Sequence, residues 1–303
     1  MKIPFVKPVV PPHVFCLLQD GLTYGFVQRA QPAGISFSQN FPYPPNTLGA
    51  GASGTPLFSA AALAPAVDAA RRFAQGRLTR ASVVFPDSWA RILPVEFDSL
   101  PGSPDAVREM VLWKLKKLLP GITAELDVVY LEMAQAGESK RLIVAAAPAE
   151  MLRSIETSFE ERGVRVGALA PASLVLFEGL APLLASKSPG DYAILHRSSG
   201  SIAFLVARGE TPILFRYRPM EEEEGHEQEL RLSLSYYAEK LNGQGLTAIY
   251  VHDQAPEETF RAEILPVPPQ AISGRLFGAD STFDERIASR PELLPGFAAV
   301  YGR

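Results

Sequence analysis

The 303-residue sequence has one cysteine, Cys16, which excludes an internal disulfide framework and fits a reducing compartment. Its four histidines stand at 13, 196, 226 and 252 and share no metal-ligand spacing with one another or with Cys16. No stretch approaches the ~18–20 apolar residues of a transmembrane helix. The N-terminal MKIPFVKPVVPP is too interrupted by proline to form a secretory signal core. Positive charge is not in excess: 29 Lys+Arg face 33 Asp+Glu, a net charge of −4 that argues against nucleic acid as a partner. No Gly-x-Ser-x-Gly elbow offers a hydrolase nucleophile, and Gly49–Gly54 (GAGASG) lacks the Lys-Ser/Thr of a phosphate loop. What is present is ordinary: 47% hydrophobic and 20% charged residues, enough for one two-lobed body or two domains, expected in the cytoplasm.

Two stretches share a pattern. Val14–Leu18, the turn Gln19-Asp20-Gly21, Leu22–Val27 and Gly34–Phe41 read as three strands, followed by a helix over Leu57–Gln75 and a buried strand Ala81–Phe85. Tyr192–Leu195, a Gly200-containing turn, Ser201–Ala207 and Thr211–Tyr217 repeat the meander, followed by a helix over Glu222–Leu241 and the strand Leu246–Val251. Strand-strand-strand-helix-strand twice in one chain indicates an internal duplication. Between the halves lies a different unit: strand Arg91–Phe97, helix Asp105–Leu119, strands Asp127–Ala134 and Arg141–Ala147, helix Ala149–Arg162 and strand Val164–Leu169. That β-α-β-β-α-β order is ferredoxin-like. Ala172–Ala185 reads as a further helix, Ser188-Pro189-Gly190 as a lobe boundary, and Phe41–Gly54 and Pro266–Pro269 as loose segments.

The phrases VVFPDSWARILPVEFDSLP, VLWKLKKLLPGITAELDVVYLEM and RLIVAAAPAEMLRSIETSFEERGVRVGALAPASLVLF, followed by FRYRP and LRLSLSYYAEKL, occur in one order. That ordered set resembles the type IV pilus assembly protein PilM family, from about Phe15 to the end of the chain, most specifically in the middle third. The resemblance implies an α/β, actin-like fold of two duplicated RNase H-like lobes with a ferredoxin-like insertion. The divisions it suggests are 1–87 and 171–188 for the first lobe, 88–170 for the insertion, 189–285 for the second lobe, and 286–303 for a C-terminal helix packing back on the first. Only about a dozen residues separate Phe215-Arg216 from Leu230. The accessory subdomain of the second lobe, which flanks the adenine pocket in the family, is therefore expected to be reduced or absent.

Within an actin-like fold each lobe's first strand ends in an Asp followed shortly by Gly, to hold metal and phosphate. Here Gln19 stands at the acid position with Asp20 one residue late, which turns a strand carboxylate to the opposite face; Asp20-Gly21 also reads simply as a hairpin turn. The second lobe offers His196 and Ser198, and the adenosine glycine pair is replaced by His252 and Asp253. Glu221–Glu224 suit a helix start but repel a triphosphate. The resemblance so modified implies no catalytic residue, no cofactor and no metal, a pseudo-ATPase. It implies a scaffold at the cytoplasmic face of the inner membrane that binds the tail of a PilN-like bitopic membrane protein and contacts cytoplasmic motor ATPases. Trp89, Arg91, Trp113 and Lys117 are the candidate peptide contacts. Lys114, Lys116 and Lys117 form a small basic helix face. The alternatives are an ATP-binding or ATP-hydrolysing member of the same machinery, and a GspL-like cytoplasmic component of a type II secretion platform.

Overall fold

The structure, a computed structural model, describes residues 10–28, 33–51, 54–119, 124–135, 139–198, 201–219, 224–254, 264–279 and 282–302. It opens with an antiparallel meander, β1 (His13–Leu17), β2 (Gly21–Gln28) and β3 (Gly34–Pro42). A short hairpin follows, β4 (Leu48–Ala50) with β5 (Pro56–Phe58), so the segment read as loose is partly paired. Helix α1 (Ala60–Phe73) begins after this hairpin, and Pro65 does not interrupt it. Its Ala62, Leu63, Ala66, Val67, Ala69 and Ala70 make a buried stripe at helical spacing. Next comes β6 (Arg80–Phe85), whose ASVVF run is buried on both faces, as a central parallel strand requires.

A single 3-10 turn, Asp87–Trp89, leads into β7 (Arg91–Phe97), α2 (Pro104–Leu118), β8 (Leu126–Glu132) and β9 (Lys140–Pro148), then α3 (Ala149–Glu160), β10 (Arg165–Pro171) and α4 (Ala172–Lys187). Helix α2 is well started: the Ser103 hydroxyl accepts the Ala106 N–H at 3.2 Å, Pro104 occupies the first turn, and Lys116 and Lys117 sit at the negative end of the dipole. The β-α-β-β-α-β order holds along the chain, but the pairing corrects its grouping. Three strands pair separately in the order β7-β9-β8, whereas β10 lies parallel to β6 in a five-stranded sheet ordered β10-β6-β1-β2-β3. The fourth strand of a complete ferredoxin-like unit is thus spent on the first lobe. The insertion is β7-α2-β8-β9, and α3 with β10 belongs to the lobe that the division at 88–170 had cut away.

The second lobe repeats the first. Strands β11 (Asp191–Ser198), β12 (Ser201–Arg208) and β13 (Thr211–Pro219) form the meander, α5 (Glu224–Lys240) follows, and β14 (Leu246–Asp253) and β15 (Pro269–Ala271) complete a sheet ordered β13-β12-β11-β14-β15. Position for position this is the order of the first sheet. Only residues 220–223 separate β13 from α5, so no accessory subdomain stands between them; Glu221–Glu223 and the side chain of Glu224 lie outside the described residues. Helices α6 (Gly274–Phe277), α7 (Phe283–Ser289) and α8 (Leu293–Tyr301) end the chain. Helix α8 returns to the first lobe: Leu293 fills the space left at Gly25 of β2, and Val14 of β1 fills that at Gly296.

The insertion's sheet has two apolar faces with a strict two-residue alternation. Val128, Tyr130, Leu142, Val144 and Ala146 join Val107, Val111 and Leu115 of α2 in a local core. Val129, Leu131, Ile143, Ala145 and Ala147 instead enter the main core of the first lobe. No helix among the described residues is long and apolar enough to cross a membrane.

Candidate functional site

Two places could carry function: the contact between the lobes, and a groove beside the insertion. At the first, β11 and β14 run parallel with His196 paired in register to His252, so the two imidazoles emerge side by side. Their rings stack at 4.8 Å with 16° between planes, and their Nδ1 atoms lie 2.9 Å apart. His252 Nε2 is 2.8 Å from the Pro291 carbonyl oxygen, in the segment that leads into α8. On the other side, His196 Nε2 faces Asp87 Oδ2 at 3.5 Å. Asp87 comes from the turn after β6, and its Oδ1 accepts both the backbone N–H and the hydroxyl of Ser173, each at 3.0 Å, at the start of α4.

Asp87, His196 and His252 are all buried. Burial disfavours every charged form in this row. It pushes the Asp87 carboxyl up to about 6 against the opposing Ser173 bonds, holds His196 well below the ordinary histidine range, with His252 adding to the effect, and brings His252 down to about 4. Tyr217 of β13 is close enough that its phenol, raised first by burial, is raised further by Asp87 and lowered by Arg91. Next to His196, the buried Arg197 pairs with Asp253 at 2.8 Å. His196 and His252, the second-lobe positions expected to stand in place of phosphate- and adenosine-binding residues, are therefore imidazoles bonded to one another. Among the described residues no group of three or more His, Cys, Asp or Glu is arranged to hold a metal ion.

The first-lobe positions read the same way. Gln19 and Asp20 are exposed at the tip of the β1-β2 hairpin, where the Leu18 N–H donates to the Gly21 carbonyl at 2.8 Å. Gln19 Nε2 reaches Ser88 Oγ at 3.4 Å, and the Asp20 carbonyl accepts the Tyr43 N–H at 3.1 Å. Gly21 owes its identity to the neighbouring strand, because a side-chain carbon there would lie 2.6 Å from the Phe41 carbonyl oxygen. Ser198 bonds Ser201 across the second hairpin at 2.6 Å. Asp191, at the opposite end of β11, is clamped by Arg208 (2.7 and 2.8 Å) and by Tyr237 (2.7 Å); the Arg208 bonds hold it below the usual carboxylate range.

The second place is a groove of about 250 Å³ between β10 and α3 of the first lobe and the β8-β9 face of the insertion. Small residues create it. Ala145 and Ala147 stand on the insertion's sheet, and Ala168 stands opposite on β10, where the register shifts against β6, next to Gly167, whose open side is filled by Pro11. Val129, Val166, Leu169 and Leu152 complete an apolar wall, and Asp127 and Glu156 give it an acidic rim. The Glu156 carboxyl is held above the usual range by partial burial and by the negative charges of Glu160 and Asp127. Asp127 is paired to Arg108 at 2.8 Å. The groove suits an extended apolar segment that carries a cationic side chain.

None of the four residues expected to touch a peptide lines this groove. Trp89 is core, 5% exposed, between Phe58 and Phe85. Arg91 is exposed at the start of β7 and acts on Tyr217. Trp113 and Lys117 are on the outer face of α2, with the Lys117 ammonium 3.6 Å from the centre of the Trp113 ring. Lys114, one turn away, donates to the Glu96 carbonyl and covers the Phe97 ring. The residues that sequence reasoning missed are Asp87 and the alanines. An acid inside the turn Pro86-Asp87-Ser88 reads as solvated, and only the run Ala145-Ala146-Ala147 hinted at a strand with space on one face.

No family model matches the chain, and no curated protein matches it. Among solved structures it is similar to a PilM-PilN type IV pilus biogenesis complex, at 19% identity, covering 97% of this chain and 98% of that one with a TM-score of 0.68. More distant likenesses are to the cytoplasmic domain of EpsL, an inner-membrane component of the type II secretion system of Vibrio cholerae (14% identity, 87% and 90% covered, TM-score 0.46), and to the ethanolamine utilization protein EutJ of Carboxydothermus hydrogenoformans (10%, 98% and 92%, 0.41). Only the first is near enough to bear on the fold. Together with the repeated strand order of the two sheets, it shows an actin-like architecture with a small insertion in the first lobe.

Proposed function

We propose that this protein is a non-catalytic scaffold of a type IV pilus assembly platform at the inner-membrane face, and that its groove captures the cytoplasmic tail of a PilN-like bitopic membrane protein. The observation that carries the reading is the groove itself, apolar along its walls and acidic at Asp127 and Glu156, between the first lobe and the insertion. The solved structure most similar in fold among those described is that of a complex with such a partner. A segment of several residues that buries a few apolar side chains and meets one acid with one cation reaches micromolar affinity, on the order of −8 kcal/mol. Contacts with cytoplasmic motor ATPases belong to other surfaces. The non-catalytic part of the proposal rests on the buried Asp87–His196–His252 row, whose side chains occupy the lobe contact and face one another.

The test is a titration with a synthetic peptide copying the cytoplasmic N-terminal tail of a PilN protein. Ala168 is half-buried on the groove wall, and Ala168→Trp fills it. The variant should lose at least about tenfold in affinity, about 1.4 kcal/mol, with an unchanged circular dichroism spectrum. Glu156→Lys should weaken binding and reduce its salt dependence. No binding by the unmodified protein at tens of micromolar sinks the groove assignment. Thermal stabilisation by millimolar Mg-ATP that Asp20→Ala abolishes sinks the non-catalytic one.

A further inference from the structure

The hydrogen bonds of the buried row determine how many protons it holds. The Pro291 carbonyl can only accept, so His252 donates to it from Nε2. A neutral His252 then presents a lone pair at Nδ1, and the 2.9 Å Nδ1–Nδ1 contact takes its proton from His196. That leaves His196 with a lone pair at Nε2, aimed at Asp87 Oδ2 across 3.5 Å; neither atom has a hydrogen-bond partner elsewhere. An ionised Asp87 would set lone pair against lone pair in a dry site. A protonated one completes the row, its Oδ2–H donating to His196 while Oδ1 accepts from Ser173. Arrangements with an imidazolium at His196 or His252 satisfy the same contacts and also carry three protons, but they bury a charge that the site disfavours.

We propose that Asp87, held as a carboxylic acid by His196, is a one-proton latch between the lobes. Its members come from the turn after β6 and the start of α4 on one side, from β11 and β14 on the other, and from the lead into α8. When the proton leaves to solvent at higher pH, two protons remain for three contacts. If His196 turns its proton to Nε2 to meet the carboxylate, His252 keeps the imidazole contact only by donating from Nδ1, and its bare Nε2 then faces the Pro291 oxygen. One contact is lost however the tautomers are arranged: the one joining the lobes, the one anchoring the α8 lead, or, with both protons at Nε2, the one between the imidazoles, whose bare Nδ1 atoms then face each other at 2.9 Å. The groups facing the row are few: Ser173 from α4, Tyr217 from β13 with Arg91 of β7 acting on it, and Asp253 beside His252, itself bound to Arg197. None of them supplies the missing proton at Oδ2. The inference is independent of the peptide groove.

The experiment reads proton and lobe movement separately. In 15N NMR of the histidine-labelled protein at mildly acidic pH, His196 and His252 should each show one protonated and one bare ring nitrogen. The infrared spectrum should hold a carboxylic acid carbonyl band that Asp87→Asn removes. Spin labels placed at the exposed Arg72 of α1 and Lys240 of α5 (Arg72→Cys, Lys240→Cys) should report a longer or broader interlobe distance as rising pH abolishes that band. The same labels on Asp87→Asn, whose amide N–H donates to His196 at every pH, should report no change. A doubly protonated imidazole at either position, an Asp87-independent spectrum, or an interlobe distance that ignores loss of the band would each overturn the proposal; the first and last readings need only side chains native to the row.

Discussion

Trp89 stacks on Phe85 with 6.5 Å between ring centroids and touches Phe58 at 5.7 Å, whereas Trp113, 58% exposed, has a lysine over its ring. Both were candidates for the same binding surface when only their residue type and spacing were known. Their energetics differ sharply. Trp89→Ala should cost about 3–5 kcal/mol by opening a cavity in the main core, and Trp113→Ala should stay within about 0.5 kcal/mol; urea denaturation of the two variants measures both. The buried row makes a prediction of the same scale. His252, lowered to about 4, is protonated in the unfolded chain and not in the folded one between about pH 6.5 and that value, so on its account stability falls as pH falls through this window. Asp87, raised to about 6, acts oppositely, giving stability that is lost as pH rises toward that value. Asp87→Asn removes the opposing contribution. Its stability should climb more steeply than the wild type's between about pH 4 and 6, which denaturation midpoints across that range will show. A flatter curve for the variant would mean the histidines are not buried neutral. None of this is legible in sequence, because burial of Asp87 is decided by α4 and β11, both far along the chain.

Elements were legible wherever a local period spoke for them. The three-strand meanders follow from alternating runs and Gly turns, and α2 from the amphipathic stripe of Asp105–Leu119. Which sheet a strand joins is not a local property. β10 has the composition to close the insertion, and it pairs instead with β6, from Arg165 beside Arg80 to Pro171 beside Phe85, because α3 packs against α1 and β5 and carries the chain back across the lobe. The crossing of α4 and α8 was equally invisible. Gly179 sits where any side-chain carbon would overlap the Ala298 backbone, and backbone, unlike a side chain, cannot swing aside. Gly179→Val should therefore destabilise by about 1–3 kcal/mol or more through overpacking. Gly102, with open space around the added carbon, should accept alanine with almost no change in melting temperature. Equal effects at the two positions would show that the helices separate without penalty.

For the whole molecule, the question is whether lobes and insertion melt as one body. The main core holds Phe15, Val83 and Leu63 of the first lobe, Leu176 and Phe177 of α4, Ile194, Leu205 and Phe215 of the second, and Phe297 of α8. Phe177 meets Phe215 edge to face at 5.9 Å across the lobe boundary. A lobe that opened alone would strip apolar surface from its neighbour, at roughly 25 cal/mol for each Å² exposed. The insertion has its own cluster around Val111 and Leu115, which by itself would permit separate melting. Its strands β8 and β9 nevertheless present Leu131, Ile143 and Ala145 to the main core from their other face. Unfolding the insertion thus tears the core open, and unfolding the core removes the floor beneath the insertion. The two tryptophans report on the two regions. Trp113→Phe leaves Trp89 to follow the first lobe, and Trp89→Phe leaves Trp113 to follow α2. Once each curve is referred to its own variant's circular dichroism transition, fluorescence and secondary structure should be lost together in both. An early loss of Trp113 signal, before the backbone transition, would mean that the strand faces shared with the lobe are too weak to bind the insertion into the cooperative unit.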